Sequence, residues 1–474
     1  MDRSTAILIT LVVYKIVLIG IGFFARSRAT TKEDFFLGGR KLGPLVAAIS
    51  ASASSSSAWT LLGLSGYAYS KGLSAIWFFP SCVGGFILNW YIVAPAMRRY
   101  VKGRSVLTVT DILVGDRSRP MAKAVATFAS LLIVGLFTVY VASQFQGAGK
   151  TFAASFEGMS ANTAVILGAS IVLLYTLMGG FWAVSLTDTL QGLMMALTAI
   201  VLPTAALMAV GPGELLGEMR KVADPNYWNL YAGRGLASGL GFVVGVFGIG
   251  MAYPGQPHVT NRFIALDDRP EALVSARRIA ILWAVIIYTG MILLGWCGRA
   301  LFGEVVDNEG ILITAANRLL NPVLAGVMIA AVLSAIMSTA DSQLLVAASA
   351  IVHDLRWKAA AERPLFYSRL IITAISVLAL IVVFWGSDSI FKQVLFAFSA
   401  AGAAFGPPLL ALCLGWKPSP TRIFMAMVTG VSLVLFAKFV IDESSWKAHT
   451  MFFEYALPTV VSALLVFTSK RGAE

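Results

Sequence analysis

Apolar residues fall in runs of about 20, the length that crosses a bilayer core as a helix, and short polar stretches divide the runs. They predict thirteen helical cores, at 5–25, 43–69, 74–96, 124–148, 161–181, 188–211, 235–256, 278–302, 323–352, 368–386, 391–416, 422–440 and 451–469. The stretch 303–321 reads as an external loop with room for a short helix of its own. Two cores are interrupted. The second contains serines at 50, 52, 54, 55, 56 and 57, and the seventh ends in Tyr253-Pro254-Gly255-Gln256-Pro257-His258. These interruptions lie five spans apart. Breaks at matching places in two halves point to an inverted-repeat transporter, which binds solute and ions where the backbone is unwound. The competing explanation is that membrane helices also tolerate proline for structural reasons.

Composition agrees with a membrane protein. Of 474 residues 58% are hydrophobic and only 13% charged, too little charge to cover a soluble fold of this size but enough for the loops of a polytopic one. The net charge of +12 is spread between apolar spans rather than gathered on a polar face, which argues against nucleic acid as a partner. With the N-terminus outside, the inner loops hold 24 Lys and Arg and the outer segments 11. That asymmetry predicts an outside N-terminus and a cytoplasmic C-terminus, in the cell membrane, a bacterial inner membrane. Cys82, Cys297 and Cys413 lie in apolar stretches without metal-ligand spacing, so neither disulfides nor a thiol metal centre is expected. The run 5–25 contains Lys15 and is followed by charge, so it reads as a first span rather than a signal peptide. Lys15 is expected to snorkel or to lie against the protein. No linker separates soluble domains, and residues 1–474 read as one integral membrane unit.

Two carboxylates fall inside spans, where each costs at least about 2.5 to 3.5 kcal/mol at the centre of an isolated helix. Asp188 lies near the inner end of the sixth, where it is either a helix N-cap or a functional group. Asp341 lies deep in the ninth. Ser338, Asp341 and Ser342 are spaced i, i+3, i+4, so they share a face, with Thr339 beside them. Hydroxyl, carboxylate and carbonyl oxygens suit a small hard cation. The alternative is that the hydroxyls bond back to the i−4 carbonyl and ease close packing.

Phe35-Phe36-Leu37-Gly38-Gly39-Arg40 resembles the sodium/solute symporter family, nearest its sodium/proline branch. So do Tyr175-Thr176-Leu177-Met178-Gly179-Gly180-Phe181 with Asp188, Gly255-Gln256-Pro257-His258, Met337-Ser338-Thr339 and Ala403-Ala404-Phe405-Gly406-Pro407, in order over residues 35 to 410. The resemblance implies an all-α core of two inverted five-helix repeats with broken first helices, 43–211 and 235–416. Residues 1–42 and 417–474 are then peripheral. It also implies a sodium ion held by the carbonyls of Ala53, Ser56 and Ala335 and the hydroxyls of Ser338 and Thr339. A second cation site would fall on Asp188 with Ser338, Asp341 and Ser342. Solute would lie near Ser57, Trp59, Tyr140, Gln144 and Pro257, although Trp59 and Tyr140 are equally readable as packing aromatics. Two positions depart from the branch: Ser55 stands where an aspartate is usual, and Ile249 and Ala252 stand where aromatics are.

The function expected is sodium-coupled uptake of a small organic solute, an amino acid such as proline or a related small carboxylate. Sodium serves as the coupling ion and no other cofactor is needed. One sodium falling through about 100 mV gains about 2.3 kcal/mol, and a tenfold gradient adds about 1.4 kcal/mol. Together they support roughly 500-fold accumulation. The alternatives are proton coupling through Asp188 or Asp341, and a transporter-like membrane sensor. No constellation of Ser, His and Asp, metal motif or phosphate loop suggests an enzyme. His258 marks a helix end, and His353 and His449 fall at span boundaries.

Overall fold

The computed structural model describes residues 3–26, 38–115, 117–156, 158–178, 181–356, 360, 362–385 and 389–469. Phe35 to Leu37, Gly179 and Gly180, which carry part of the resemblance, lie outside them. Among the described residues the chain is helical, with one isolated parallel bridge between Leu42 and Leu266. The first span is α1 (Arg3–Arg26). The second is split into α2 (Pro44–Ser55) and α3 (Leu64–Lys71), the latter entered through a π-helical turn, Trp59–Gly63. The third contains α4 (Phe78–Ile87) and α5 (Ala94–Val101), joined by a second π turn. A short helix, α6 (Val109–Val114), follows in the loop.

The fourth to sixth spans are α7 (Pro120–Ser155), α8 (Ala161–Met178) and α9 (Phe181–Val210), and α10 (Leu215–Arg220) lies beyond them. The seventh span is again split, into α11 (Leu236–Met251) and α12 (Pro257–Ala265). After it come α13 (Pro270–Phe302), α14 (Ile311–Leu319) in the 303–321 loop, α15 (Pro322–Ser349), α16 (Pro364–Trp385) and α17 (Ile390–Cys413). Last are α18 (Pro420–Phe436) and α19 (Leu457–Phe467). Among the described residues nine helical stretches are long and apolar enough to cross a membrane, and four shorter apolar ones add to them.

Three expectations change. The serine cluster is mostly helical: α2 runs through Ser54 and Ser55, whose hydroxyl bonds back to the Ser52 carbonyl at 2.8 Å, and only Ser56 and Ser57 are unwound. The seventh span does not end at its proline motif. Pro257, which needs no amide partner, opens a further helix to Ala265, the position where proline is best tolerated. Asp188 lies two turns inside α9 rather than at its cap.

The two broken spans are tied at one end, where Leu42 donates to the Ala265 carbonyl at 3.0 Å and accepts from the Asp267 amide at 2.9 Å. Small residues let α11 approach its neighbours to backbone contact. A Cβ on Gly245 or Gly248 would come within 2.4 and 2.5 Å of backbone at Met451 and Tyr455, and one on Gly250 within 2.2 Å of the Ser81 carbonyl. Such small-residue seams are how membrane helices pack closely without a hydrophobic driving force.

α15 is enclosed along most of its length: every residue from Met328 to Ser349 is buried. Beyond it, Asp354 accepts from Thr108 at 2.7 Å, and Arg117 donates to its carbonyl at 2.6 Å and to Asp111 at 2.7 Å. Burial opposes charge on Asp111. His353, the Leu107 amide and Arg117 nevertheless hold its carboxyl down at about 2. α6 is therefore fastened to the turn after α15 through Asp111, a carboxylate that stays charged at neutral pH.

Candidate functional site

The first break gathers the proposed ion ligands. Ser338 donates to the Ala53 carbonyl at 3.2 Å and to the Ala335 carbonyl at 3.3 Å, and Thr339 reaches the carbonyls of Ala53 at 3.5 Å and Ser54 at 3.2 Å. Ala53, Ala335, Ser338 and Thr339 thus bring their oxygens together between α2 and α15. Ser56, the C-cap of α2, donates its amide to the Ala53 carbonyl at 3.2 Å, which does not itself bring the expected Ser56 carbonyl to this group. Oxygens that must hydrogen-bond one another in a dry interior are equally a ligand set for a hard cation.

One turn beyond lies the group expected to hold a second cation, and its partners differ from the expectation. Asp188 accepts from Ser50 at 2.7 Å, Ser54 at 3.2 Å and Arg262 at 3.0 Å. Arg262 also donates to Ser342 at 2.6 Å, to Ser50 at 3.1 Å and to the His258 carbonyl. Its guanidinium, 1% exposed, therefore stands between Asp188 and Ser342. Asp341 turns elsewhere, to Thr176 of α8. Ser50 belongs to this polar cluster, whereas Ser52 bonds back to the Ala48 carbonyl at 2.7 Å. One turn further along α15, Tyr14 meets Ser334 and Lys15 meets the Met337 sulfur, so Lys15 lies against the protein.

The residues expected near solute also converge. Gln144 accepts the Ala58 amide at 3.1 Å and donates to Ser57 at 3.3 Å, and Tyr140 donates to Ser57 at 3.4 Å. Trp59 is fully buried. Pro257 begins α12, and the next residue, His258, bonds the Ser54 carbonyl at 3.2 Å and lies edge-on to Phe137 and Tyr140. Ala252 packs against Gly402 so tightly that a Cβ on Gly402 would come within 2.2 Å of it.

A cavity of about 860 Å³ opens on the side of the 303–321 loop and ends on Tyr67 and Phe391. These rings stack at 5.1 Å, and Phe391 meets Trp59 edge-on at 6.1 Å. Glu309 holds this lid in place. It accepts the amides of Ile390 at 3.2 Å and Phe391 at 3.0 Å, the Ser389 hydroxyl at 3.2 Å and the Lys150 ammonium at 2.7 Å. An anion capping helix N-terminal amides is favoured by the helix dipole as well as by the bonds. Glu309→Ala is expected to speed amide hydrogen exchange at Ile390 and Phe391 about tenfold, the scale of a lost cap. Unchanged exchange would show that Glu309 does not fasten the lid.

Arg262, Glu309 and Ser50 escaped the sequence reading. Arg262 follows a proline motif and reads as an inner-loop cation, and an acid in a loop carries no signal of its own.

A model of the sodium:solute symporter family matches residues 35–430. The chain is 37% identical over 427 residues to the high-affinity proline transporter PutP of Bacillus subtilis (strain 168), covering 88% of each chain. It is 33% identical over 452 residues to the sodium/proline symporter of Escherichia coli (strain K12), covering 92% of this chain and 88% of that one. Its fold matches a substrate-bound, outward-open sodium-coupled sialic acid symporter with a TM-score of 0.78 at 17% identity, over 99% of this chain and 100% of that one.

Proposed function

Because this chain belongs to the sodium:solute symporter family, we propose that it couples the inward movement of sodium to uptake of a small amino or imino acid, proline being the first candidate. The observation that carries this reading is the oxygen cluster of Ala53, Ala335, Ser338 and Thr339, which joins the broken second span to the buried α15. Residues 43–211 and 235–416 are taken as two inverted repeats, with the N-terminus outside and the C-terminus in the cytoplasm. The cavity above Phe391 is then external.

In this reading sodium is held by Ala53, Ser56, Ala335, Ser338 and Thr339. The solute carboxylate takes the Ala58 amide and the Ser57 hydroxyl, with Gln144 standing in its place meanwhile. Tyr140, Trp59 and Pro257 bound the rest. Asp188, Asp341 and Ser342 remain candidate ligands of a second cation, and Arg262 is its internal competitor. Sodium bound across the break holds α2 to α15, and so favours the conformation in which the solute groups converge. Release to the cytoplasm follows when that seam opens.

Purified protein in liposomes, loaded with choline and diluted into sodium, is expected to accumulate labelled proline above equilibrium. Equal uptake with choline on both sides would sink sodium coupling. A proton gradient alone driving the same accumulation would put proton coupling in its place.

A further inference from the structure

Tyr140 and Gln144 reach the first break from α7. A different helix, α13, brings Tyr288 to it. The Tyr288 ring lies 6.3 Å from Trp59, and its hydroxyl is 2.6 Å from that of Tyr253 in the second break. The hydroxyls of Ser56 and Thr60 face it. Ser56, Trp59, Thr60 and Tyr288 are all fully buried.

Yet the Trp59 indole N–H has no hydrogen-bond partner, and the hydroxyls of Ser56 and Thr60 have none but the Tyr288 hydroxyl they face. Neighbouring hydroxyls in the same span do not behave so: Ser52, Ser55 and Ser65 all bond back to carbonyls within 2.8 Å. Buried polar groups are nearly always paired, so an unpaired indole N–H flanked by two hydroxyls that share one phenol, beside Ser57, calls for a partner from outside the chain. The set is one pure donor and two hydroxyls that both give and accept. A solute hydroxyl matches it, accepting from Trp59 and donating to Ser56 or Thr60. An apolar ring leaves the indole unpaired, and a second carboxylate would bring a charge against a wall that offers no cation.

We propose that Ser56, Trp59, Thr60 and Tyr288 form a hydroxyl-recognising wall, and that the preferred solute is an amino or imino acid whose ring or side chain carries a hydroxyl group. This rests on reading the break as the solute site.

The test compares 4-hydroxyproline with proline as solutes of the full-length protein in sodium-driven liposomes. Hydroxyproline is expected to half-saturate uptake at a concentration at least tenfold lower. In Thr60→Val and in Tyr288→Phe that ratio is expected to fall towards one. Two variants guard against one failing to fold, and the wild-type ratio needs neither. Sodium-driven proline uptake with hydroxyproline no better would overturn this inference alone, as would a ratio unchanged in both variants. No sodium-driven uptake of either compound would overturn the proposed function with it.

Discussion

Arg262→Met is expected to remove transport and to cut the amount of folded protein sharply, whereas Asp188→Asn combined with Arg262→Met is expected to recover folded protein. The single change leaves the Asp188 carboxylate fully buried with only the Ser50 and Ser54 hydroxyls for company. Removing one partner of a buried ion pair costs about 3–5 kcal/mol, while replacing both is often neutral. Thermal unfolding in detergent, read beside liposome uptake, separates the two roles. A double variant as unstable as the single one would show that Arg262 serves packing rather than charge.

The second large effect is expected from Ser338→Ala with Thr339→Ala. Each hydroxyl bonded to an ion or other charge is worth about 1.5–3 kcal/mol, so the pair should raise the sodium concentration for half-maximal uptake a hundredfold or more. The two hydroxyls meet only backbone carbonyls of the first broken helix and of α15, so their loss leaves no buried charge behind. The fold is expected to survive, which makes the sodium titration interpretable. A sodium dependence that does not move would place the coupling ion elsewhere, with Asp341 and Thr176 the next group to alter.

Much of this architecture was legible because the bilayer imposes it. A span must be long, apolar and internally hydrogen-bonded, so hydropathy alone located the helices, and the serines and Pro254-Gly255-Gln256-Pro257 marked the breaks. The proposed sodium ligands follow from the family resemblance, carried over by position; the residues themselves show only that hydroxyls at Ser338 and Thr339 crowd an apolar helix, which close packing also explains. What stayed hidden has a common cause. The half-helix from Pro257 to Ala265 is polar, carrying His258, Thr260, Asn261 and Arg262, so nothing marked it as interior. Its burial depends on α2, α5 and α15 closing round it, a property of packing between distant segments. Tyr288 is silent for the opposite reason: a tyrosine in an apolar span looks like any packing aromatic until the polar groups around it are seen together.

Where α11 crosses the segment at Met451 and Tyr455, bare backbone rides on bare backbone. Ordinary helices interlock by ridges of side chains set into grooves, and one can slip past another only if those ridges climb over each other. At Gly245 and Gly248 there is no ridge to climb. The broken seventh span can therefore shear along this track without any rotamer having to flip, the small sliding motion by which packed helices change state. A methyl group on Gly245 or Gly248 would meet that backbone at 2.4 or 2.5 Å and force the two segments apart.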